Sequence, residues 1–85
     1  MELIFSSKAW EEYLYWQKTD KIILKRINSL IKDIQRNPLD GIGKPEPLKC
    51  NLSAYWSRRI NSEHRIVYKP LENKILIAQL RYHYE

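Results

Sequence analysis

The chain has 85 residues, 44% of them hydrophobic, with a formal net charge of +5 at pH 7 and a sequence pI near 9.4. That length holds one core and no second one, so residues 1–85 are expected to form a single domain, and the apolar fraction excludes a disordered tail. The positive balance, with three Trp and six Tyr, favours a polyanionic partner without choosing among RNA, DNA, an anionic membrane surface and an acidic protein segment.

Met1 to Phe5 lacks a basic flank and a long apolar run. No stretch approaches the roughly 20 apolar residues of a membrane helix. Cys50 is the only cysteine, which leaves no internal disulfide and no cysteine-built metal site. These features predict a cytoplasmic protein with no membrane partner.

Leu3-Ile4-Phe5, ended by Ser6-Ser7, predicts a first strand, and either serine can cap a helix after it. Trp10, Tyr13, Leu14 and Gln17 fall at helical spacing within a helix from about Lys8 to Lys18, with Trp16 off the centre of this stripe. Asp20 is the expected cap of a second helix, Lys21 to Arg36. Its apolar face is Ile23, Ile27, Leu30, Ile31 and Ile34. The short Thr19-Asp20 joint makes the two a hairpin, and Asn37-Pro38 stops the second helix.

Residues 37–49 break the periodicity. They hold both glycines and three of the four prolines, with Glu46 fixed between Pro45 and Pro47. This is expected to be a constrained loop. Tyr55 to Asn61 and His64 to Lys69 read as a hairpin turning at Ser62-Glu63, and Lys74 to His83 as a last strand. On that strand alternation places Ile75, Ile77, Gln79, Arg81 and His83 on one face. Leu76, Ala78, Leu80, Tyr82 and Tyr84 lie on the other, the face expected against the helices. The first set turns polar towards its C-terminal end, which hints at a site there. The order β-α-α-β-β-β predicts an α+β fold, a two-helix hairpin packed on a mostly antiparallel sheet.

His64 and His83 have no metal-ligand spacing, and no acidic cluster accompanies them. Metal-free RNA cleavage is the natural alternative. The 2'-hydroxyl attacks the adjacent phosphate, given a base at the hydroxyl, an acid at the leaving 5'-oxygen and positive charge at the phosphoryl oxygens. Neither metal nor cofactor is required. Glu46 suits the base, His83 the acid and Arg65 the stabilising charge, while Lys49 and Arg59 suit phosphate binding. The sequence leaves an exchange of roles between Glu46 and His83 open. Lys44, Arg58 and Arg81 are auxiliary candidates.

Further motifs stand at Tyr13-Leu14-Tyr15-Trp16-Gln17, Gly43-Lys44-Pro45-Glu46-Pro47-Leu48-Lys49, Trp56-Ser57-Arg58-Arg59-Ile60, His64-Arg65 with Val67-Tyr68, and terminal Arg81-Tyr82-His83-Tyr84. Through them nearly the whole chain resembles the YoeB family of the RelE/ParE toxin superfamily. The resemblance implies a RelE-like fold and a toxin of a type II toxin–antitoxin system. It implies an endoribonuclease that cuts messenger RNA in the ribosomal A site, leaving a 2',3'-cyclic phosphate or 3'-phosphate and a 5'-hydroxyl. It assigns the base to Glu46, the acid to His83, the transition-state arginine to Arg65, phosphate contacts to Lys49 and Arg59, and placement of the substrate base to Tyr84. It also implies a YefM-like antitoxin, a homodimer, and promoter DNA bound only indirectly through the antitoxin complex. Glu85, beyond the usual terminal tyrosine, departs from the pattern.

Other functions fit the composition. A non-catalytic RNA- or ribosome-binding protein of the same fold explains the charge and the aromatics, but not the joint presence of base, acid and arginine. A partner active only through its antitoxin would cause no growth arrest alone. A ribosome-independent ribonuclease would cut naked RNA equally well.

Overall fold

Ser6 and Asp20 set the two helices. The Ser6 hydroxyl accepts from the Ala9 N–H at 3.0 Å and donates to the Ala78 carbonyl at 3.0 Å, so one side chain caps a helix and ties it to the sheet. The Asp20 carboxylate accepts from the N–H groups of Ile22 and Ile23, both at 3.1 Å, while its own N–H donates to the Trp16 carbonyl at 2.9 Å. One residue thus ends the first helix and starts the second, which makes the tight hairpin.

A computed structural model describes residues 1–83. The elements are β1 (Glu2–Phe5), α1 (Ser7–Thr19), α2 (Lys21–Arg36), β2 (Glu46–Pro47), β3 (Trp56–Arg59), β4 (Arg65–Leu71) and β5 (Lys74–Gln79), with a 3-10 turn at Cys50–Leu52. The sheet order is β1-β5-β4-β3-β2. Only β1 and β5 pair in parallel; the other neighbours are antiparallel. Both helices lie on one face, over a core of Ile27, Leu30, Ile34, Ile66, Tyr68, Ile75, Ile77 and Leu80, all fully buried. Each such aliphatic side chain contributes about 2 kcal/mol of transfer free energy.

The α+β architecture and the α2 stripe agree with expectation, and three details differ. First, α1 turns Ala9 and Trp16 inward, while Trp10 and Leu14 stay largely exposed. The Trp16 indole N–H donates to the Leu80 carbonyl at 2.9 Å. This polar tie orients α1, and an apolar stripe does not register it. Second, Glu46 and Pro47 form a short fifth strand at the sheet edge, where a proline costs no ladder bond.

Third, β5 ends at Gln79, and its alternation is broken. Tyr68 pairs with Ile77 and Val67 with Gln79, so one step on β4 faces two on β5, a bulge at Ala78. Ile75 and Ile77 face the helices, where the opposite face was expected of them, and the bulge lets Leu80 beyond it face the helices too. The same shift turns Gln79 to the opposite face, with Val67.

Candidate active site

On the helix-free face of the sheet a row of register partners runs across three strand pairs. Glu46 lies opposite Ser57, Ser57 opposite Val67, and Val67 opposite Gln79. One pleat further, Arg59 faces Arg65. A cleft of about 120 Å³ opens here, lined by Lys44, Glu46, Ser57, Arg59, Arg65 and His83. Like charges placed directly opposite on neighbouring strands destabilise a sheet. Among the described residues neither Arg59 nor Arg65 forms a salt bridge. Such a pair suits an anion that approaches from outside.

Each lining residue is held by the local chain. Glu46 sits between two prolines on β2, which is anchored by the Leu48 N–H donating to the Tyr55 carbonyl at 2.9 Å. Lys44 precedes it in a left-handed conformation, φ 54°, a strain of about 1–3 kcal/mol that the surrounding loop sustains. The Arg65 guanidinium donates to the carbonyls of Asn61 at 2.8 Å and His64 at 3.1 Å, so the β3–β4 turn aims it. Ser57 is 4% exposed and on the cleft wall. Sequence reasoning passed it over, although its place between Trp56 and Arg58 put it on the same face as Arg59.

His83 reaches the cleft because the chain leaves β5 in a hook. Leu80 is taken up by α1: its N–H donates to the Glu12 carboxylate at 2.8 Å and its carbonyl accepts from Trp16. Tyr82 then adopts φ 63° and turns back to β4. Its carbonyl accepts from the Arg65 N–H at 3.0 Å, and its N–H donates to His64 Nδ1 at 2.7 Å.

Glu46, Arg59, Arg65, His83 and Lys44 are thus brought together. Lys49 is exposed beyond β2 and does not line the cleft. Tyr84 and Glu85 lie outside the described residues. Two auxiliary candidates belong elsewhere. Arg58 is fully buried on the helix side of the sheet. It pairs with Asp33 and donates to the carbonyls of Asn37 at 2.7 Å, Asp40 at 3.1 Å and Ile42 at 3.2 Å. Period two along β3 dictates this, because neighbours Arg58 and Arg59 must point to opposite faces. Arg81 lies 3.8 Å from the centre of the Tyr15 ring and 4.7 Å from that of Tyr82, a cation–π contact away from the cleft.

The Arg58 cluster has its own role: it folds the loop that delivers Glu46. The Ile42 N–H and the Arg58 guanidinium together hold the Asp33 carboxyl below its ordinary 3.8. The Tyr68 hydroxyl donates to the Pro38 carbonyl at 2.7 Å, and burial pushes its pKa above 10.0. Among the described residues no group of three His, Cys, Asp or Glu gathers to hold a metal ion, and no helix is long and apolar enough to cross a membrane.

A two-helix hairpin on one face of a mostly antiparallel five-stranded sheet, with a basic cleft on the other face, defines the class of RelE-like toxins. Residues 5–84 match the family described as YoeB-like toxin of bacterial type II toxin-antitoxin system. The chain is 61% identical over 84 residues to toxin YoeB of Escherichia coli strain K12, covering 99% of this chain and 100% of that one. A solved structure, the YoeB dimer from Staphylococcus aureus, superposes with a TM-score of 0.92 at 54% identity, covering 99% of this chain and 98% of that one. The YoeB–YefM complex from the same organism matches with a TM-score of 0.92 at 53% identity and the same coverage. The chain belongs to the YoeB family: it is the toxin of a type II toxin–antitoxin system.

Proposed function

We propose that this toxin is a ribosome-dependent endoribonuclease that cuts messenger RNA in the A site and so blocks translation. One observation carries the proposal: a carboxylate, an imidazole and two opposed arginines, drawn from an edge strand, a hook and a hairpin, converge on one small cleft.

The chemistry rests on what these groups can do. Glu46 takes the proton of the 2'-hydroxyl as its oxygen bonds to phosphorus. The bond from phosphorus to the 5'-oxygen breaks, and His83 supplies the proton to that oxygen. Arg65, with Arg59 and Lys44 beside it, offsets the charge gathering on the phosphoryl oxygens. The products are a 2',3'-cyclic phosphate, which water opens to a 3'-phosphate, and a 5'-hydroxyl. DNA lacks the attacking group. No metal or cofactor enters. Lys49 and Tyr84 complete the assignment as contacts to a flanking phosphate and to the base. A cleft of this size orients little substrate, so the ribosome supplies much of the alignment.

The basic face is also the natural dock for an acidic, flexible antitoxin segment of the YefM type, which orders as it covers the site. A homodimer and a cytoplasmic location complete the proposal. Promoter DNA is reached only through the antitoxin complex.

The test is 5'-end mapping of a defined messenger RNA by primer extension, with programmed ribosomes or with naked RNA. Wild type is compared with Glu46→Ala and His83→Ala. New ends at the A-site codon, only with ribosomes and lost in both variants, are expected. No ends from native protein would overturn the nuclease in favour of a binding protein. Equal cutting by both variants would overturn the chemistry.

A further inference from the structure

Residues 80–83 leave the sheet without a strand partner, yet they carry His83. Leu80 is fastened to α1 through Glu12 and Trp16, and Tyr82 to β4 through His64 and Arg65. The backbone at Arg81 and His83 has neither kind of support. There the Gln79 carboxamide intervenes. Its Nε2 donates to the Arg81 carbonyl at 2.7 Å and to the His83 carbonyl at 2.7 Å. One NH2 group carries two hydrogens, so these bonds use its whole donor capacity. Among the described residues the only hydrogen bond to the His83 backbone comes from Gln79.

The bulge at Ala78 explains why Gln79 is available for this. Without the extra residue, alternation would turn position 79 into the core with Ile75 and Ile77. With it, Gln79 joins the row of Glu46, Ser57 and Val67 on the cleft face. Tyr82 has φ 63°, a conformation L side chains rarely adopt, so the hook needs outside support to persist. We propose that Gln79 is a positioning residue for His83, fixing through its carboxamide the hook that places the imidazole in the cleft. This rests on the proposed acid role of His83.

The experiment measures single-turnover cleavage on programmed ribosomes. It compares wild type, Gln79→Met, Gln79→Glu, His83→Ala and the double variant Gln79→Met/His83→Ala. Met and Glu match the reach of Gln and lack its donor; Glu serves where Met lowers the melting temperature. The maximal rate is expected to fall about 10- to 100-fold, as for a catalytic group displaced by about 1 Å, with KM little changed. Because Gln79 acts through His83, the double variant is expected to be no slower than His83→Ala. A wild-type rate in both Gln79 variants would overturn the proposal, as would an additive loss in the double variant.

Nuclear magnetic resonance separates this claim from the chemistry. In Gln79→Met the His83 amide and ring signals should move to random-coil positions, while the Trp16 indole signal, reporting the Leu80 anchor, stays in place. If His83→Ala cuts as well as wild type, the acid role falls and these spectra decide the positioning alone. Unmoved His83 signals then overturn it.

Discussion

Arg58 and Asp33 meet at 2.6 Å across the helix–sheet interface, the arginine with no solvent exposure and the aspartate 22% exposed. Four further acceptors surround the same guanidinium: three loop carbonyls and the Tyr68 hydroxyl. Removing one partner of a buried pair costs about 3–5 kcal/mol. Arg58→Met is expected at the low end, about 3 kcal/mol, because Asp33 keeps contact with water. Lysine is no remedy, since one ammonium cannot satisfy a fork of acceptors. Urea unfolding measures the loss. A cost below about 1 kcal/mol would mean that the loop finds other partners.

The same pair sets an acid limit. The Ile42 N–H, followed by Arg58, keeps the folded Asp33 carboxyl below its ordinary 3.8. A depressed folded value means that the unfolded chain binds more protons in that window, so stability falls as pH drops. The contribution is full above about pH 4 and is lost as the pH falls through the folded value. Tyr68 acts at the other end. Burial raises its folded value above 10.0, so its contribution is full below that pH and lost as the pH climbs through the folded value. Asp33→Asn is expected to flatten the acid limb and also to weaken the alkaline one, because the Asp33 charge adds to the raised Tyr68 value. Urea midpoints across the pH range check both; an unchanged acid limb would remove Asp33 from the account.

Helix α2 was legible because its information is local. Asp20 caps it, Asn37-Pro38 ends it, and its apolar face repeats over four turns. Glu46, Arg59, Arg65 and His83 were also within reach of the sequence, since each lies near the end of an expected strand or between two prolines. What stayed hidden depends on partners remote in the chain. The face of α1 is set by Trp16 bonding Leu80, 64 residues away. The bulge at Ala78 exists only in the pairing of β5 with β4. The burial of Arg58 required knowing that Asp33 and three loop carbonyls wait on that face. In each case a polar contact overrides a pattern read from hydrophobicity.

Gly43 shows how narrowly the Glu46 loop is built. Its φ is +82°, and a Cβ there would lie 2.8 Å from Leu30 Cδ2 and 3.2 Å from both Arg58 Cβ and the Arg59 carbonyl. Its own carbonyl accepts from the Arg59 N–H at 2.6 Å, which joins the loop to β3. Gly43→Ala meets both the conformational strain and the close packing. The expected cost is about 1–3 kcal/mol for the strained backbone alone. Cleavage should fall more than stability predicts, because Lys44 and Glu46 lie directly after it. Thermal melts and single-turnover rates on the same samples check this, and an unchanged rate would show that Glu46 is placed independently of Gly43.

His64 offers the last test, because its ring has a defined protonation pattern. Nδ1 accepts from the Tyr82 N–H at 2.7 Å, so in the neutral ring the proton resides on Nε2. His64 is 6% exposed, and its ring packs edge-on against Trp16 at 4.9 Å between ring centres. His64→Phe keeps an aromatic ring there but removes the acceptor, leaving the Tyr82 N–H without its partner at a cost of about 1–3 kcal/mol. His64→Asn gives up the ring but returns an acceptor near the position of Nδ1. Amide hydrogen exchange distinguishes the two effects, because it reports local opening residue by residue. The Tyr82 amide should exchange faster in His64→Phe and regain protection in His64→Asn, although the asparagine variant loses packing on Trp16. If both variants expose Tyr82 equally, ring packing holds the hook in place of the hydrogen bond.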